Sequence, residues 1–263
     1  MQIISSKDNE IIKHIKKLND KKYRDINKEY LIEGIKIIEE AILEKAKIKK
    51  IVICDECKKT EEISKNLMYE IAKYPCIYVT EKVFNSITTV TNPQGIMAII
   101  EKTCEEEEIE FNEDIIVALD DIQDPGNLGT ILRTVDSIGL KQILVSKGTA
   151  DPYNPKVVRS TMGAIFRIKV IECENIVETL KKARKHKYDI VVTSLQAEKT
   201  MYEIEYKKKV IVVGNEANGV SKEVLDLANE KIKIPMLGRT ESLNASVATG
   251  IVLYEYVRRK VGK

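Results

Sequence analysis

No stretch of this sequence approaches the roughly 18 consecutive apolar residues that crossing a bilayer requires, and its first residues lack a charged-then-apolar leader pattern. The expectation is a globular, cytoplasmic protein with no membrane partner. Cysteine is scarce: five residues, an odd number at irregular spacings, argue against a disulfide framework and predict reduced thiols. Cys54-Asp55-Glu56-Cys57 matches half of a zinc site but has no second pair, and Cys76, Cys104 and Cys173 stand alone, so no metal is expected. Histidine is scarcer still. There are two, His14 and His186, and both lie away from the glycine- and asparagine-rich loops where chemistry would be sought, so the usual general base is missing. Two nucleotide motifs fail as well. No G-x-G-x-x-G is present, and Gly214 to Ser221 nearly spells a phosphate-binding loop but carries Val220 where the lysine should stand, which argues against nucleoside triphosphate hydrolysis.

What is present is ample material for burial. A hydrophobic share of 43% beside a charged share of 32% allows a sizeable core with a solvated surface, and 263 residues suit two domains better than one. The net charge of +2 averages over unlike segments. Residues 101–114 hold one basic and eight acidic residues, cannot bury a face and read as a linker; the segments on either side are mildly basic. Residues 1–100 then form a small α/β domain. Helical spacing of apolar residues predicts helices over Asp8 to Leu18, Tyr30 to Ala46 and Glu61 to Lys73, and β-rich runs predict strands over Lys49 to Cys54, Cys76 to Val79 and Gly95 to Ile100. In residues 115–263, β-branched runs at Asp114 to Leu119, Gln142 to Val145, Arg167 to Ile171, Asp189 to Thr193, Val210 to Val213 and Lys231 to Ile234 alternate with helical patterns. That alternation is the mark of an α/β domain with a mostly parallel sheet covered by helices on both faces. The last helix is expected over Asn244 to Arg259.

Ligands of such sheets bind in loops at the carboxyl ends of strands. Three of these loops are unusual: Asp124 to Arg133 (DPGNLGTILR), Gly214 to Gly219 (GNEANG) and Ile234 to Ala248 (IPMLGRTESLNASVA). In the first, Pro125 and Gly126 make a turn, Asn127 is able to cap a helix, and Arg133 lies two turns further on. A capped helix with a solvated arginine is the plain alternative. In the third, Glu241, Ser242, Asn244 and Ser246 supply more hydrogen-bonding groups than one helix cap needs, so the rest either brace the loop or face a ligand.

These three loops, in this order, resemble the three motifs of the SpoU family, a branch of the SPOUT methyltransferases. The resemblance runs through residues 115–263, including Arg159-Ser160-Thr161-Met162-Gly163-Ala164, and Ser6 to Leu18 with Tyr30 to Gly34 resemble the family's N-terminal substrate-binding domain. It implies methylation of a ribose 2′-hydroxyl in structured RNA, ribosomal more than transfer RNA, with S-adenosylmethionine as cofactor. It also implies a deep trefoil knot, which patterning alone would argue against, and a homodimer. By the same route Gly214, Ile234 and Leu243 are expected to hold the cofactor, and Asn127, Arg133, Glu216, Ser242 and Asn244 to form the catalytic site. The family assigns proton removal to Arg133. A guanidinium is locked in its charged form, so the role expected here is to stabilise the developing alkoxide and pair with a substrate phosphate. Glu216 has a structural alternative, accepting N–H groups within its own loop. Lys13, Lys16, Lys17, Lys21 and Arg24 form a basic stripe suited to an RNA backbone, or else a solvated helix face. A non-catalytic RNA-binding scaffold of the same fold is the competing function.

Overall fold

The computed structural model describes residues 3–102 and 108–262; the middle of the acidic stretch, with Cys104, lies outside the described residues. The chain divides into two compact units, one comprising Met1–Glu106 with Tyr153–Phe166, the other Glu107–Pro152 with Arg167–Lys263. Among the described residues no helix is long and apolar enough to cross a membrane.

The first unit begins with β1 (Ile3–Ile4), α1 (Glu10–Lys17), α2 (Lys21–Asn27), β2 (Glu29–Glu33) and α3 (Ile35–Leu43). It continues with β3 (Ile48–Cys54), α4 (Lys65–Ile71), β4 (Cys76–Val79), α5 (Glu81–Phe84) and β5 (Ile96–Glu101). Its mixed sheet runs β1-β4-β3-β5-β2. Asn9 caps α1 by accepting the Ile11 N–H, and the helix turns Ile12, Ile15 and the following Leu18 into a core with Leu31, Val52, Val79, Phe84 and Met97. Tyr30 to Ala46 is not one helix, as the apolar spacing suggested. Residues 29–32 are all buried and pair with β5, and the chain then passes through Gly34 at φ 120° before α3 starts. A run apolar on both faces fits a buried strand as well as a helix, and only the glycine marks the boundary.

The cysteines also depart from expectation. Cys54, at the buried end of β3, is disulfide-bonded to Cys57, with their Cα atoms 5.5 Å apart across the turn that follows the strand. The C-x-x-C spacing, read above as half of a zinc site, equally suits a disulfide across a tight turn, and Gly95 packs against that turn so closely that an added Cβ would lie 2.8 Å from Cys57 Cβ.

The second unit contains β6 (Ile115–Asp120), α6 (Pro125–Ser137) and β7 (Gln142–Ser146), after which the chain joins the first unit through α7 (Pro155–Ser160). It returns as β8 (Lys169–Cys173), α8 (Ile176–Lys185), β9 (Asp189–Thr193), β10 (Lys199–Thr200), β11 (Lys209–Gly214), α9 (Lys222–Leu227), β12 (Glu230–Lys233) and α10 (Ala245–Val261). The seven strands, in the order β10-β12-β9-β11-β6-β7-β8, are parallel throughout. Central strands β6 and β11 are buried along their whole length, as a sheet covered on both faces requires. All strands therefore end on one side, which gathers the loops after β6, β7, β11 and β12.

Candidate active site

The loop after β6 enters α6 through Asp124, not Asn127: the Asp124 carboxylate accepts the Asn127 N–H at 2.8 Å, with Pro125 in the first turn. This leaves the Asn127 side chain free for other partners. Asn127 is 8% exposed, and its Nδ2 donates to Glu216 Oε1 at 2.8 Å while its Oδ1 accepts from Asn244 Nδ2 at 2.9 Å. One residue from each of the three unusual loops thus meets in a single hydrogen-bonded line. The second carboxylate oxygen of Glu216 accepts the Gln123 N–H at 3.4 Å. Glu216 does not cap its own loop. The Ala217 and Asn218 N–H groups go to Asn215 Oδ1, at 2.9 and 3.0 Å. Asn244 caps α10 as well, its Oδ1 accepting from Ser246 N and Oγ, and more weakly from Val247 N.

The turn that carries Glu216 depends on Gly214. A Cβ there would lie 2.2 Å from the Gly219 carbonyl carbon and the Val220 nitrogen, so the chain folds back on itself too closely for any side chain. Asp120, buried at the end of β6, accepts the Ser221 N–H at 2.8 Å and so ties the far side of the same loop to the central strand.

Two expected residues stand apart. Arg133 is exposed on α6, and six residues at 3.6 per turn set it roughly 120° around the helix from Asn127. It makes no hydrogen bond or ion pair with the described residues of its own chain. Ser242 is exposed on the loop before α10 and is likewise unpaired among them. That loop suits an adenosyl group. Ile234, Met236 and Leu243 are half-exposed, and residues 234–243 make no hydrogen bond with any described residue, so an apolar surface for a flat base lies beside free backbone groups for its edge.

In the first unit Lys13, Lys16, Lys17 and Lys21 are exposed on α1 and α2, with Lys17 Nζ 5.6 Å from the centre of the Tyr23 ring. Arg24 is not with them. It is 2% exposed and donates Nη1–H to the Leu18 carbonyl at 2.8 Å, so it holds α2 against the end of α1 and leaves the surface stripe.

Residues 114–254 match the SpoU rRNA Methylase family, and residues 9–98 match the MRM3-like substrate binding domain. The chain belongs to the SpoU rRNA methylase family. This SpoU methylase is 32% identical, over 97% of its length and 98% of the relative's, to the 23S rRNA (guanosine(2553)-2′-O)-methyltransferase RlmP of Bacillus subtilis. Over 56% of its length, and 60% of the relative's, it is 34% identical to the 23S rRNA (guanosine-2′-O-)-methyltransferase RlmB of Xanthomonas axonopodis. Among solved structures, the AdoMet-bound rRNA methyltransferase of Sinorhizobium meliloti superposes with a TM-score of 0.85 at 34% identity, covering 98% of both chains.

Four residues around the site were not singled out from sequence. Asp120, Asp121, Ser146 and Asn215 make the bonds that join one loop to another across sequence separations of 25 to 101 residues, and no local pattern marks such pairs.

Proposed function

We propose that this methylase transfers the methyl group of S-adenosylmethionine to a ribose 2′-hydroxyl of ribosomal RNA, with Asn127, Glu216 and Asn244 forming the fixed part of its catalytic site. The observation that carries the reading is the line of hydrogen bonds from Glu216 through Asn127 to Asn244, which joins all three motif loops at the strand ends. Bound against Gly214, Ile234 and Leu243, the cofactor supplies an electrophilic methyl carbon on a sulfonium sulfur. A 2′-hydroxyl is a weak nucleophile, so the protein must orient it in line and stabilise the charge it develops. Asn127 and Asn244 orient the ribose. Arg133 pairs with the substrate phosphate and stabilises the developing alkoxide, the phosphate or water taking the proton. Ser242 contacts the nucleotide from the loop before α10.

Because Arg133 lies roughly 120° around α6 from Asn127 and is unpaired among the described residues of its own chain, the reading includes a homodimer in which this arginine serves the partner's site. An apolar stripe supports the dimer: Val247 and Tyr254 are half-exposed on α10 with Gly250 and Ile251 between them, and α10 packs on the helix that carries Arg133. The trefoil knot belongs to the same reading. So does a division of labour in which residues 1–100 grip RNA through Lys13, Lys16, Lys17 and Lys21, residues 101–114 connect, and residues 115–263 carry out the chemistry. A ribosomal substrate implies a cytoplasmic location.

The test is transfer from labelled S-adenosylmethionine to unmodified ribosomal RNA and, in parallel, to transfer RNA, with Arg133→Ala as control. Label in ribosomal RNA that disappears with Arg133→Ala supports the reading. Label confined to transfer RNA overturns the substrate, and cofactor binding without transfer to either RNA favours a scaffold.

A further inference from the structure

The ends of β6, β7 and β11 are joined by hydrogen bonds that begin outside the three motif loops. Ser146, the last residue of β7 and 8% exposed, donates its Oγ–H to Asp121 Oδ1 at 2.5 Å and accepts the Asp121 N–H at 2.9 Å. This reciprocal pair holds Asp121 at φ 61°, a conformation that disfavours most side chains and is tolerated by an aspartate with a fixed partner. Gly148 closes over it so tightly that an added Cβ would lie 2.3 Å from Asp121 Oδ1. Held this way, the Asp121 carbonyl accepts Asn215 Nδ2–H at 2.8 Å. The other end of the same amide accepts from Ala217 and Asn218, and the Asn215 backbone exchanges hydrogen bonds of 2.9 Å with Gly219.

Glu216 sits on this turn. Residues 216–219 are exposed, so burial does not hold the loop, yet the Glu216 carboxylate meets both Asn127 and the Gln123 N–H of another loop. Something must fix the backbone beneath it, because a long side chain on a free turn samples many positions. Asp120 fixes the far side of the loop through the Ser221 N–H, and Asn215 ties the near side, beside Glu216, to the β6 loop on which Gln123 also lies.

We propose that Ser146, Asp121 and Asn215 are positioning residues, a relay running from the end of β7 to the turn after β11 that sets the Glu216 carboxylate against Asn127. The relay rests on the reading that Glu216 and Asn127 act in methyl transfer. The three act through Glu216.

Two measurements on the full chain test it. In steady-state methyl transfer, Ser146→Ala and Asn215→Asp each lower kcat by about 10- to 100-fold while KM for RNA and cofactor stays within about threefold, since misplacement of a reacting constellation falls on the chemical step. Ser146→Thr, which keeps the hydroxyl, restores most of the rate. In a Glu216→Gln background, Ser146→Ala lowers kcat by less than about twofold, because groups that act as one unit are not additive. Independently of activity, hydrogen exchange at the Ala217 and Asn218 amides accelerates in Ser146→Ala although Ser146 does not touch them. A Ser146→Ala protein with parental kcat, or with parental exchange at those amides, overturns the relay. If the parent itself transfers no methyl group, the function reading falls and the exchange measurement alone decides the relay.

Discussion

Asn127 shows how little a residue's local pattern says about its work. A proline-glycine turn followed by asparagine suggests a cap, but Asp124 takes that task and Asn127 spans two other loops. That the third loop holds more polar side chains than capping uses was legible, and with it the candidacy of Asn244, whereas Asn127 and Glu216 were legible as candidates through the family resemblance. Their partners were not, since they lie 89 and 117 residues apart in the chain. Arg24 marks the opposite failure: charge counting assigns it to a surface stripe, whereas α2 is so short that one step around the helix decides between solvent and core. Arg133 gives the sharpest test at this scale. Its proposed work needs a planar, two-pronged donor, so Arg133→Lys is expected to lower kcat by about 10- to 1,000-fold despite keeping the charge, as measured in single-turnover methyl transfer. Near-parental turnover would exclude that role.

At the level of elements, the parallel sheet was readable because its strands are β-branched runs separated by helical patterns, and six of its seven strands lie where those runs are. The two-residue β10 is too short for any pattern to show, and β2 was hidden because a strand buried on both faces has no alternation. The final helix was visible in outline, but its anchorage was not. Glu255, 5% exposed within α10, accepts from Arg258 Nε and Nη2 and from Arg259 Nε, and Arg259 reaches on to the Ile204 and Tyr202 carbonyls. The Arg258 hydrogen bond, with that of Arg259, outweighs burial and holds the Glu255 carboxyl at about 2, below its ordinary 4.5. A depressed carboxyl stabilises the fold fully above its unfolded value and loses that contribution as pH falls from about 4.5 towards about 2. In thermal unfolding against pH, the parent should therefore lose stability across that window more steeply than Glu255→Gln, which starts lower near neutral pH. Parallel acid limbs would show that Glu255 does not couple to folding.

For the molecule as a whole, the nearly neutral charge conceals a division: an acidic stretch separates two mildly basic segments, and the exposed lysines of α1 and α2 lie in the first. Replacing Lys13, Lys16, Lys17 and Lys21 by alanine should weaken RNA binding and reduce the slope of log affinity against log salt by about 0.7 to 0.9 for each phosphate left without its lysine. Arg24→Ala should instead lower the melting temperature, because it removes the donor to a buried carbonyl. An unchanged salt slope in the lysine variant would move the RNA-binding surface elsewhere. The reaction itself is open to direct chemical reading. A methyl group on a ribose 2′-oxygen removes the nucleophile by which alkali cleaves the next phosphodiester. Ribosomal RNA labelled by this enzyme and hydrolysed in alkali should yield its label in an uncleaved dinucleotide at one position, whereas label released in a mononucleotide would mean methylation of a base and contradict the account.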